Sequence, residues 1–180
     1  MPDNSDYFDF EEEARDFEED DFEARIWNLL VLINPGDEEL AMQQFNRWRE
    51  HLLEDGQGLE ADSQWLTPLL QVIAWQSGFE VERDDPDTLV TAVNELAARW
   101  SVQVDWGGDL DDEDFAQHVD APLLMATAYD RLREHNYTLW SVDAGTGGLC
   151  GWMALTRDDD AMLALCSLIG VEVRPGSDPF

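Results

Sequence analysis

Apolar positions recur along this chain in two periods, and each change of period is marked by Pro, Gly or Asp. From Ile26 to Ile33 the chain is almost wholly apolar, and it stops at Asn34-Pro35-Gly36, where a helix cannot continue. Asp37 follows as a helix cap, with Glu38 and Glu39 in the first turn. Ala41, Phe45, Trp48 and Leu52 then line one side of a second helix ending near Asp55-Gly56. The pattern therefore predicts two antiparallel helices and a polar connector at 57–62.

Further on, the period alternates between 3.6 and 2. Thr67-Pro68-Leu69-Leu70 opens an apolar helix, and Ala121-Pro122-Leu123-Leu124 opens another in the same way. The first is followed by a strand at 79–81, then Arg83-Asp84-Asp85, a helix at 86–100 and a strand at 102–104. The second leads to a strand at 137–142, a Gly-rich turn at 143–148 and a returning strand at 149–156. Arg157-Asp158-Asp159, a helix to Ile169 and a strand at 171–174 complete it. Helix, strand, Arg-Asp-Asp, helix, strand thus occurs twice, which suggests repeat halves at about 67–106 and 121–174. The aspartates of both steps are expected to cap the helices they precede, so they need no catalytic role. Strands alternating with helices predict an α+β (or α/β) domain, helices packed on a mixed β-sheet, with an antiparallel hairpin at 137–156. The domain is expected to span 24–180, after an acidic N-terminal arm at 1–23.

That arm carries twelve acids against Arg15, interleaved with Tyr7, Phe8, Phe10, Phe17 and Phe22. Phe10, Ala14 and Phe17 fall on one helical stripe, but like charges crowd the rest, so helix formation there is marginal in isolation. The acidity extends to the whole molecule: 41 carboxylates oppose 10 cations, for a net charge of −31. Every cation is an arginine. The absence of lysine removes Schiff-base chemistry and the P-loop phosphate lysine. The charge argues against direct contact with nucleic acid or anionic lipid. At 44 % hydrophobic residues, with 8 Trp and 8 Phe, the chain is too apolar for an acidic disordered protein. No apolar run approaches the roughly 18 residues of a membrane span. The acidic start lacks the basic and apolar segments of a secretory leader, so a cytoplasmic location is expected.

Candidate chemistry is sparse. Asp109, Asp111, Glu113 and Asp120 match positions 1, 3, 5 and 12 of a calcium loop, but Asp114 stands where that loop needs glycine. The three histidines, His51, His118 and His135, lie far apart, and Cys150 and Cys166 read as buried free thiols. Gly145 to Gly151 superficially matches a dinucleotide fingerprint, yet it joins two strands where that fingerprint must open a helix. There is no Gly-x-Ser-x-Gly elbow and no cysteine beside a basic group. No catalytic, cofactor-binding or metal-ligating residue is therefore assigned.

The segment 137–180 resembles a family of uncharacterised bacterial acidic proteins, a domain of unknown function. The resemblance rests on Asp143, Gly151-Trp152, Asp158 to Asp160, Gly170 to Val173 and the tail Arg174 to Phe180. It implies no reaction and transfers no catalytic residue. From the residues themselves, the leading expectation is a non-enzymatic binding protein that docks a basic protein partner, in the manner of an immunity protein or a nucleic-acid mimic. The contact is expected on the acidic loop Asp105, Trp106, Asp109, Asp111, Asp112, Glu113 and Asp114, with Trp106 as a desolvated anchor. The N-terminal arm is a second expected surface. One alternative is an enzyme or small-ligand protein with a site near the Gly-rich turn 143–151. Another is a soluble domain whose acidity has no specific role.

Overall fold

The structure, a computed structural model, describes residues 21–54, 56 and 64–180; most of the acidic arm and the connector at 57–62 lie outside them. Helix α1, described over 21–33, sends Phe22, Ile26, Leu29, Leu30 and Ile33 into the core, the one-face spacing of an amphipathic helix. Phe22, which the sequence pattern assigns to the arm, continues this stripe and meets Trp65 edge-on, with ring centroids 5.3 Å apart. The Asn34-Pro35-Gly36 step ends α1, and the Asp37 carboxylate accepts a hydrogen bond from the Leu40 N–H at 3.1 Å to open α2 (Glu38–Glu54).

The rest of the chain runs α3 (Leu66–Ile73), β1 (Gly78–Val81), α4 (Pro86–Ala98), the single turn α5 (Glu113–Ala116) and α6 (Ala121–Glu134). It continues through β2 (Tyr137–Val142), β3 (Leu149–Leu155), a 3-10 turn at Thr156–Asp158, α7 (Asp159–Ile169) and β4 (Val173–Pro175). Among the described residues, no helix is long and apolar enough to cross a membrane.

The four strands lie in the order β1-β3-β2-β4, and every pairing between them is antiparallel. The mixed sheet expected from the alternating pattern is corrected by this topology. Both helical crossovers exist, but each passes over one strand of the central β2–β3 hairpin, so strands running the same way are never neighbours. The hairpin itself is as expected, turning through Gly145 and Gly147 at φ +70° and +79°.

Period-2 alternation sorts the strand side chains between two cores. Trp140, Val142, Cys150, Trp152 and Ala154 face α1, α2, α3 and α7. Phe79, Val81, Leu139, Leu149 and Met153 face α4 and α6. The sheet is thus sandwiched between two helical layers, and strands buried on both faces explain why β2 and β3 read as nearly continuous apolar runs. The two similar units use these layers in opposite order: α3 and α7 lie on the first face, α4 and α6 on the second.

Two local expectations fail within those units. The segment 102–104 pairs with no strand; Val102 and Val104 instead pack into the α4–α6 layer. The Asp85 carboxylate does cap α4, accepting from the Thr88 N–H at 3.0 Å and the Thr88 hydroxyl at 2.6 Å. Asp158, at the N-cap of α7, makes no such bond, because the chain enters that helix through the 3-10 turn. Asp159 is held instead by Arg133 of α6 at 2.6 Å.

Candidate functional site

The stretch between α4 and α6 is a folded loop built largely from its own carboxylates. The Asp105 side chain accepts from the Gly107 N–H at 2.9 Å, Asp109 from Asp111 at 3.0 Å, and Asp112 from Asp114 at 3.0 Å. Each is a short side-chain-to-backbone turn that aspartate forms readily. The last caps α5, the one-turn helix that the sequence pattern leaves as loop, and α5 brings Phe115 back over the loop. A Cβ on Gly108 would be driven into the Phe115 ring, so glycine is needed there for close approach.

Folding the loop against α4 and α6 encloses an open cleft of about 250 Å³. Its apolar walls are Val90 of α4, Leu124 of α6, and Leu110 and Phe115 of the loop. Trp106 forms another side. Its indole N–H donates to Asn94 Oδ1 at 3.0 Å, which ties the ring to α4. The exposed carboxylates Asp87, Asp109 and Asp111 ring the opening. None of them belongs to an ion pair among the described residues. From Asp105 to Asp120 there are seven carboxylates and no arginine.

The seven sequence-selected residues therefore divide. Trp106, Asp109 and Asp111 converge on the cleft, and Asp105 holds the turn beside it. Asp112, Glu113 and Asp114 begin α5 and do not line it. Sequence reasoning missed Asp87, which reads locally as an ordinary first-turn acid of α4, and the apolar walls, which read as core. Only the packing of α4 beside the loop brings them together. The Gly-rich turn 143–151 contributes nothing to this cleft.

Other ionisable groups have structural surroundings. Burial pushes the Cys150 thiol up to about 11, with Glu80 and Asp143 adding to the effect and a bond from Thr146 opposing it. Burial alone pushes Cys166 up to about 12. His135 ends α6, as its sequence position suggests. His118 donates through Nδ1 to the Asp114 carbonyl at 2.5 Å. Among the described residues, no group of three or more His, Cys, Asp or Glu side chains is arranged to hold a metal ion.

Comparison with known proteins adds a family and nothing about activity. No curated protein and no solved structure matches the chain. A family model described as a domain of unknown function (DUF6630) matches residues 25–176, from α1 to the end of β4 and well beyond the 137–180 segment that carried the resemblance. The chain therefore belongs to the DUF6630 family.

Proposed function

We propose that this protein is a non-enzymatic binding protein that docks a basic protein partner on the face formed by α4, the 105–114 loop and the start of α6. The observation carrying this reading is the cleft with apolar walls, whose carboxylate rim has no cation of its own among the described residues. Such a surface does two jobs at once. The carboxylates speed encounter with a positively charged partner, and the apolar walls supply desolvated contact once it arrives. Toxin neutralisation and nucleic-acid mimicry are the two roles that this chemistry suits best, since both present carboxylates to an arginine- or lysine-rich face. A cytoplasmic setting follows from the same reading.

The cleft's size favours this over a small-molecule site. Pockets for drug-sized ligands and cofactors run from about 300 to 1,000 Å³, and this one falls below that range. Its lining also holds no nucleophile paired with a base; Thr91 donates its hydroxyl to the Asp87 backbone carbonyl.

Capture from native-host extract, identification of the partner and a salt titration test the reading. The expected result is a partner with a strongly basic face, whose association slows steeply with added salt. Replacing Asp109 and Asp111 by Asn should weaken it severalfold, mainly by slowing association and flattening the salt dependence, as charges on an interface rim do. A partner that is not basic, or binding indifferent to both salt and these substitutions, would refute it.

A further inference from the structure

We infer that the cleft is a socket for a single arginine side chain projecting from the partner, a specification that rests on the docking function proposed above. Shape is the first argument. The space, about 250 Å³, lies below the usual range of cofactor pockets and is lined by Asp87, Val90 and Thr91 of α4 and Leu124 of α6, which suits one long side chain entering end-on. Val90, Leu110, Phe115 and Leu124 line it with hydrocarbon, matching the aliphatic stem that arginine carries behind its charge.

Charge is the second argument. The three rim carboxylates come from two separate segments, Asp87 from the first turn of α4 and Asp109 and Asp111 from the loop, so they approach an inserted group from different directions. Asp87 enters no side-chain hydrogen bond among the described residues, and Asp109 uses one oxygen on its own turn, leaving the other free. A planar guanidinium with five donors can serve carboxylates on two sides, whereas an ammonium acts as a compact, strongly hydrated point charge. Trp106 completes the fit, because its ring is anchored through Asn94 and borders the same space. Guanidinium stacks on indole more readily than ammonium and loses less hydration in doing so. The protein's own Arg99 lies over Trp100 in this manner, 4.8 Å from the ring centroid.

The experiment follows the Trp106 indole N–H resonance in the ¹⁵N-labelled full chain at low salt. Three capped tripeptides are titrated, Gly-Arg-Gly, Gly-Lys-Gly and Gly-citrulline-Gly. The arginine peptide should shift the resonance saturably, the lysine peptide should bind at least fivefold more weakly, and the neutral citrulline isostere should leave it unmoved. Asp87→Asn and Asp109→Asn should each weaken the arginine response threefold or more. Asn keeps the side-chain oxygen that Asp109 uses in its turn, so the loop geometry survives the loss of charge. Asp130→Asn, on the exposed part of α6 and outside the cleft, should change nothing. No saturable shift, equal responses to arginine and lysine, or indifference to Asp87→Asn overturns the socket. Normal binding of an identified basic partner by Asp87→Asn would then leave the docking function standing. Absence of any basic partner would remove that function whatever the peptides do.

Discussion

Trp75 sits between α3 and β1 with φ at +64°, a left-handed conformation that costs an L-residue about 1–2 kcal/mol. Its N–H donates to the Gly78 carbonyl at 2.9 Å, so the turn geometry is set by the backbone while the indole stays half exposed. Removing the side chain should therefore reverse the usual ranking of small residues. Trp75→Gly is expected to be more stable than Trp75→Ala by about 1 kcal/mol, since glycine visits this region freely. Denaturant melts of the two variants check this; an alanine variant equal to or above glycine would refute the assignment of strain. The cysteines make a second prediction at this scale. Folding raises both thiols, to about 11 and about 12. The unfolded chain therefore releases these protons first, from about pH 8.5. Their contribution to stability is complete below that pH and declines as pH rises towards the folded values. Native protein at pH 8 should resist a thiol reagent, and full labelling of both sites should appear only in denaturant.

At the scale of elements, the helical layer around α1 to α3 is tied to α4 by a buried polar cluster. Asn34, at the end of α1, donates to Gln44 Oε1 at 2.8 Å, and Gln44 Nε2 donates to the Ser77 hydroxyl at 2.8 Å. Ser77 donates back to Asn34, and Arg99 at the end of α4 reaches Ser77, the Gln76 carbonyl and Asp37. Asn34, Gln44 and Ser77 satisfy one another where water is excluded, which makes a missing partner costly, while Arg99 and Asp37 close the cluster at its solvent edge. Ser77→Ala leaves the Gln44 amide without its acceptor and should lower unfolding free energy by about 1–3 kcal/mol at unchanged m-value. A loss near zero would show that the cluster contributes no net stability. Nothing local in the sequence announces this cluster, because its hydrogen-bonded members stand 10 to 65 positions apart and Asn34 reads only as part of the Asn34-Pro35-Gly36 stop. By contrast, the β2–β3 hairpin, the Asp37 and Asp85 caps, the apolar stripe of α2 and the Pro-led start of α6 were legible, since each depends on residues within a few positions of one another.

For the molecule as a whole, carboxylate crowding is the dominant electrostatic fact. With 41 acids against 10 arginines, and five ion pairs among the described residues, most acids must rely on solvent and on backbone N–H groups. Monovalent salt screens their mutual repulsion, so the melting temperature should rise between about 0.01 and 0.5 M salt, as the screening length falls from about 30 Å to a few ångströms. A flat response would show that the fold already disperses these charges. On the docking function proposed above, the same salt should weaken association with the partner, so stability and affinity are expected to move in opposite directions.

By itself, the sequence determined that this chain folds as helices on a sheet, where its central hairpin lies and how negative it is. Those properties arise from composition and from short-range periodicity. Tertiary structure alone decided that crossovers skip a strand, leaving the sheet antiparallel. It also decided that 102–104 joins a helical layer, that Asp158 caps nothing, and that Asp87 stands beside Asp109 and Asp111 around a cleft that also takes in Val90, Leu110, Phe115 and Leu124. These outcomes depend on which surfaces meet across tens of residues, and a local pattern carries no record of the partner it will pack against.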